Sequence, residues 1–306
     1  MGAMRTLKMT IKIPLIGLLL FAVLMTGCSD RVEPQPQATA TNLPATPTST
    51  PTLEPPTATP VPAAAVVNGE RIPLETFERE VARYLIAQES MEHADVDTAR
   101  AREVVLNDLI DQVLFAQAAR DAGANFSDAD VQSRLDALSE EIDLDAWMAE
   151  WGYTHEELLE SLRLQMLAAY QRDVIIGSVP ETVEQVELRQ VFAFTEAGAN
   201  RALVSLNSGM SFEDLAFEFS PDTGGYLGWV PRGYLLFPVV EEAAFNQPVG
   251  TYTEIIESEI GYHIVLVIDR EERPLTSDAR LTLERQAVHS WLEERRAESA
   301  IEVLVD

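Results

Sequence analysis

Lysine is almost missing from this sequence. Lys8 and Lys12 are the only two in 306 residues, and both stand in the first 27, with Arg5 and without an acidic residue. All 50 Asp and Glu residues come later, where arginine is the only cation, and the formal net charge is −28. So little basic surface argues against nucleic-acid binding, which needs cations to replace the counterions of a phosphate backbone. It argues equally against docking on anionic lipid by charge. Cysteine is scarcer still. Cys28 stands alone, which excludes an intramolecular disulfide framework and any multi-cysteine metal site. Hydrophobic residues nevertheless make up 46%, an ordinary share for a chain that buries a core. The length suits about two domains.

The basic residues Arg5, Lys8 and Lys12 precede an apolar run from Ile13 to Met25. That run is short for a membrane span and suits the hydrophobic stretch of a signal peptide over residues 1–27. It ends in Leu24-Met25-Thr26-Gly27-Cys28, which resembles a bacterial lipobox with methionine where leucine is usual. The resemblance implies lipidation of Cys28 and membrane attachment through that N-terminal lipid alone. Residues 28–64 hold nine of the seventeen prolines, interleaved with Thr and Ala. Such a composition predicts an extended, solvated linker without a core. At ~3.1 Å per residue it reaches up to roughly 100 Å from the bilayer.

Folding is expected to begin at Ala65. Val66-Val67-Asn68-Gly69-Glu70-Arg71-Ile72 reads as strand, Asn-Gly turn, strand. Helical spacing then predicts helices near 74–88, 97–122, 128–141 and 154–174. Ser127 and Thr154 open the last two as capping residues. Residues 277–299 read as a helix, and Ile301 to Val305 alternates like a strand. A lone two-stranded hairpin is marginal, so the last strand is expected to join the first hairpin. Residues 65–181 and 273–306 would then form one domain around residues 182–272. This layout resembles the SurA and PrsA class of extracytoplasmic chaperones.

Residues 182–272 read as strand, three short helices and two strands, with a Gly-rich turn before the third helix. Several strings there resemble the parvulin family of peptidyl-prolyl isomerases. They are Gly209-Met210-Ser211-Phe212-Glu213-Asp214-Leu215-Ala216, Phe219-Ser220, Gly224-Gly225-Tyr226-Leu227-Gly228-Trp229, Arg232-Gly233, Glu241-Glu242-Ala243-Ala244-Phe245 and Gly261-Tyr262-His263-Ile264-Val265. The resemblance implies an α+β fold, with a parvulin domain (a small sheet surrounded by helices) inserted in a mainly helical SurA/PrsA-like chaperone domain.

It also implies site residues. Rotation about a peptide C–N bond faces ~18–20 kcal/mol, and lowering that barrier needs neither nucleophile, metal nor cofactor. What helps is an apolar pocket that grips the proline ring and a polar wall suited to the twisted amide. By resemblance the polar wall takes His263, Asp222 and Ser258. The family's first histidine falls at Gln190, a departure, although Gln both donates and accepts as a neutral imidazole does. The pocket takes Leu227, Leu235 and Val240. Val240 replaces a phenylalanine, and one extra residue between Arg232-Gly233 and Glu241 leaves Phe237 and Val239 as alternative contributors. The basic cluster of phosphate-directed parvulins is absent, with Thr195-Glu196-Ala197 in its place. His155-Glu156-Glu157 is no zinc motif, because Leu159 follows at the fourth position.

The expected activity is Xaa-Pro isomerisation with chaperoning of unfolded or partly folded secreted polypeptides at the outer face of the cell membrane. The competing expectation is a non-catalytic holdase that uses the parvulin domain as a peptide cradle.

Overall fold

Asn68 and Gly69 both hold positive φ, 50° and 87°, the conformation a two-residue hairpin turn requires. They join strand β1 (Ala63–Val67) to β2 (Glu70–Pro73), with Val66 opposite Arg71 and Val67 opposite Glu70. This computed structural model describes residues 61–90 and 97–305. Cys28, the expected signal peptide and the expected linker as far as Pro60 lie outside the described residues. β1 begins two residues before the expected start, with Ala63 and Ala64 buried. The C-terminal strand β7 (Ile301–Val303) lies antiparallel to β1 on its other side, giving the order β2-β1-β7.

The chain divides into two units. The first holds this sheet, helix α1 (Leu74–Ser90) and helix α2 (Thr98–Asp121) as far as Ile110. It also holds a short helix, α4 (Leu144–Trp151), that the sequence pattern did not predict. Its capping is local: the Asp143 side chain accepts from the Ala146 N–H, and Gly152 closes it in the left-handed region. Its anchor is not local. Buried Arg83 on α1 donates to the carbonyls of Trp151 and Gly152, both at 2.9 Å, and pairs with Glu80. The Tyr153 ring lies 3.4 Å under the guanidinium, and its hydroxyl donates to Glu80. These bonds satisfy helix-end carbonyls that would otherwise be orphaned.

The second unit takes residues 111–142 and 154–300. Helix α3 (Asp128–Glu141) starts with the capping box Ser127/Asp130, and α5 (His155–Gly177) with Thr154/Glu157, as the sequence predicts. Its sheet has the order β4-β3-β6-β5, all antiparallel. The long strands β3 (Thr182–Ala193) and β6 (Gly261–Pro274) form the centre, β4 (Tyr226–Pro231) and β5 (Ile256–Ser258) the edges. β4 falls where only a Gly-rich turn was expected. It inserts a strand between the second and third helices of this region.

Helices α6 (Glu196–Asn207) and α7 (Phe212–Phe219) cover Val191 and Ile264 with Leu206 and Leu215. Helix α8 (Pro238–Asn246) covers Val186, Leu188, Val265 and Val267 with Val240 and Phe245. Helix α9 (Ser277–Glu298) packs on α5, and its Trp291 stacks on Phe115 at 4.9 Å. Strand side chains alternate between faces. Gln190 and Phe192 on β3, and His263 on β6, therefore point to the α8 side. Among the described residues no helix is long and apolar enough to cross a membrane.

Candidate active site

A cleft of about 320 Å³ opens on the α8 side of the second sheet. Gln190, Phe192, Ser220, Leu227, Leu235, Leu236, Phe237, Val240, Ile260 and His263 line it. Six of the expected site residues thus meet: Gln190, His263, Leu227, Leu235 and Val240 line the cleft, and Ser258 touches it through His263. In the register of β3 and β6, His263 pairs with Phe192 and Val265 with Gln190. Gln190 and His263 are therefore diagonal neighbours, close enough for long side chains to meet.

The polar wall is one chain of contacts. His263 Nδ1 lies 3.3 Å from Gln190 Oε1, and His263 Nε2 lies 2.7 Å from Ser258 Oγ. A carbonyl oxygen only accepts, so Nδ1 carries the ring hydrogen and donates to Gln190. Nε2 then keeps its lone pair and accepts from the Ser258 hydroxyl in preference to the Gly261 carbonyl, which lies farther from Oγ, at 3.2 Å. His263 is 3% exposed, and burial holds its pKa below the ordinary 6.5. The neutral imidazole that this wiring requires is therefore the favoured form. Phe192 and Phe237 flank the ring, with centroids 5.0 and 5.7 Å away.

Two glycines bring the backbone close enough to build this wall. The Gly225 carbonyl accepts from the Gln190 N–H at 2.8 Å, and a Cβ on Gly225 would stand 1.9 Å from the Gln190 oxygen. At Gly261, where β5 turns into β6, a Cβ would stand 2.7 Å from the Ala193 oxygen. The first close approach sets the turn before β4 against β3 at Gln190, and the second sets the Ser258–His263 hairpin against the end of β3.

Asp222 does not join the wall. It is exposed on the turn between α7 and β4 and is not among the lining residues. The chain folds back through the consecutive left-handed residues Gly224 and Gly225, and it is Ser220, at the start of the turn, that lines the cleft. On the apolar side Val240 is buried, and Phe237 supplies an aromatic face beside it. Val239 is 51% exposed and outside the lining. Phe192, Ser220, Leu236 and Ile260 line the cleft without having been singled out as site residues. Phe192 was legible, because it shares the strand face of Gln190. Among the described residues no group of three or more His, Cys, Asp or Glu is placed to hold a metal ion.

Residues 187–269 match the PPIC-type PPIase domain family, and residues 57–149 match the SurA-like N-terminal domain. The foldase protein PrsA of Halalkalibacterium halodurans is 28% identical over 240 residues, covering 70% of each chain. The chaperone SurA of Alcanivorax borkumensis is 28% identical over 136 residues, which are 40% of this chain and 29% of that one. A crystal structure of the peptidylprolyl isomerase PrsA from Bacillus anthracis is 20% identical, with a TM-score of 0.44 over 63% of this chain and 96% of that one. With a SurA-like N-terminal domain followed by a PPIC-type isomerase domain, the chain belongs to the SurA/PrsA class of parvulin-containing foldases.

Proposed function

We propose that the cleft isomerises Xaa-Pro bonds of unfolded extracytoplasmic polypeptides, and that a lipid on Cys28 holds the protein at the outer face of the cell membrane. The observation that carries the catalytic reading is the unbroken Ser258–His263–Gln190 contact chain along one wall of a mostly apolar cleft.

The proline ring enters between Leu227, Leu235, Phe237 and Val240. Gripping the ring fixes one side of the bond while the other turns. As the amide twists, resonance is lost and electron density returns to nitrogen, with little net charge created. A wall of neutral groups suits that change. Its members already hold one another in place, so little reorganisation is needed for them to meet the twisted amide. Gln190 takes the place of a second imidazole by orienting His263 through Nδ1. Asp222 is left out of this wall, and Ser220, two residues before it, lines the cleft. The exposed apolar rim, Leu236 at 82% and Ile260 at 54%, would hold the residues flanking the proline.

The same rim supports a second reading, a peptide cradle without catalysis. Titrating the protein with a peptide containing one Leu-Pro bond, followed by NMR, tests the shared part of both. Signals of Gln190, Leu227, Leu235 and His263 are expected to move first. Shifts confined to the first unit would contradict the assigned site. For the anchor, Cys28→Ser is expected to release the protein from washed membranes, and retention would contradict the lipid assignment.

A further inference from the structure

The strings Arg232-Gly233 and Glu241-Glu242-Ala243-Ala244-Phe245 carry no part of the polar wall, yet they converge on one loop. Residues 232–237 run from the end of β4 to the start of α8 and present Leu235, Leu236 and Phe237 to the cleft. Glu241, in the first turn of α8, does not line the cleft. Its carboxylate accepts from three successive backbone N–H groups of that loop: Gly233 at 2.9 Å, Tyr234 at 3.1 Å and Leu235 at 3.2 Å. Hydrogen bonds to an ionised acceptor are about twice as strong as neutral ones. Three of them on adjacent residues leave the loop backbone few other paths.

The loop is also gripped from outside. A Cβ on Gly233 would stand 2.2 Å from Gln286 Oε1 and 3.0 Å from Leu283 Cδ2, both on α9. The Arg232 guanidinium lies 4.3 Å over the Phe245 ring. Arg232, Gly233, Glu241 and Phe245 thus form one clamp around the segment that makes half the apolar pocket.

We propose that Glu241 is the positioning residue of the proline pocket, holding the 232–237 loop so that Leu235 and Phe237 face the polar wall. The proposal rests on the cleft being the Xaa-Pro site. It separates two quantities. The loop makes the apolar grip, whereas Ser258, His263 and Gln190 stand on β3, β5 and β6. Loss of the clamp therefore weakens peptide binding more than it slows the bound peptide.

The test uses the full chain and a peptide with one Leu-Pro bond. Affinity and cis/trans exchange at saturating peptide are measured for wild type, Glu241→Ala and Glu241→Gln. Glu241→Ala is expected to weaken affinity about tenfold, as for the loss of a charge-assisted hydrogen bond. Exchange at saturation is expected to fall by less than affinity does, and amide-hydrogen exchange at Gly233, Tyr234 and Leu235 to quicken. Glu241→Gln keeps an accepting oxygen and is expected to recover most of the affinity. If Glu241→Ala does not fold, Glu241→Asp carries the test. It keeps the charge but withdraws the carboxylate by one methylene, so affinity is expected to fall with little change in Tm. Unchanged affinity in a folded Ala or Asp variant overturns the proposal, as does a fall in saturated rate that matches the fall in affinity. In those cases wild-type binding and catalysis leave the isomerase reading standing. A wild type that does not bind the peptide overturns both.

Discussion

His263 donates from Nδ1 to the side-chain oxygen of Gln190 across 3.3 Å. That contact fixes which ring nitrogen faces Ser258, and so sets the direction of every hydrogen bond in the polar wall. On the proposed reading a glutamine here would orient His263 as a second imidazole would, without the ability to change protonation state.

Replacing Gln190 by leucine would leave the Nδ1–H unpaired in a buried ring. The expected result is a fold that holds, with catalysed exchange slower by about tenfold, the size of one lost buried hydrogen bond. Gln190→His is expected to keep the fold and raise the rate, provided the new imidazole is neutral. Exchange spectroscopy on both variants, with a melting curve for each, checks this. An unchanged rate in a folded Gln190→Leu protein would remove Gln190 from the mechanism.

Burial depresses the His263 pKa below its ordinary 6.5. The folded state then binds fewer protons than the unfolded state near and below that pH. Stability therefore rises with pH through this window and is lost as pH falls below the unfolded value. Protonation would also turn Nε2 from acceptor to donor, against the Ser258 hydroxyl hydrogen. Both Tm and catalysed rate are expected to fall between about pH 7.5 and about pH 5. The comparison is with His263→Gln, which lacks this titration. A wild-type Tm that changes with pH no more steeply than that of the variant would contradict the assignment.

Gly225 and Gly250 both hold positive φ, 66° and 80°, but only Gly225 has a neighbour in the way. A Cβ there meets the Gln190 oxygen at 1.9 Å, whereas nothing lies within 4 Å at Gly250. Gly250→Ala is expected to cost about 1–2 kcal/mol from backbone strain alone. Gly225→Ala is expected to cost more than about 3 kcal/mol, because strand and turn must part. Denaturant melts of the two variants make the comparison. Equal losses would mean that the turn does not lie against β3 as described.

Much of this was legible in the residues, and what was not has physical reasons. The resemblance to parvulins singled out Gln190, His263 and the serine five positions before His263, and the alternation of β3 and β6 explains why the first two share a face. The capping boxes at Ser127 and Thr154 are local and were readable for that reason. The direction of Asp222 was not, because it depends on how Gly224 and Gly225 bend the turn. β4 was hidden because Gly228 interrupts a six-residue strand whose pairing with β3 is non-local. α4 is short, and Arg83, sixty-eight positions from Trp151, holds its end. Ala63 and Ala64 have little strand preference of their own and are ordered by the sheet around them. The wall of the pocket where the family has phenylalanine was open among Val240, Phe237 and Val239. The geometry at the start of α8 gives it to Phe237.

The central claim is catalysis by the Ser258–His263–Gln190 wall, and cis/trans exchange of a Leu-Pro peptide reads it most directly. Magnetisation transfer between the two proline isomers would be followed with catalytic amounts of the full chain, beside a binding titration of the same peptide. Exchange is expected to be faster than in buffer. It is expected to slow at least about tenfold in a folded His263→Ala protein that still binds, because affinity comes mainly from Leu227, Leu235, Phe237 and Val240. A wild-type protein that binds the peptide yet leaves exchange at the buffer rate would contradict the account.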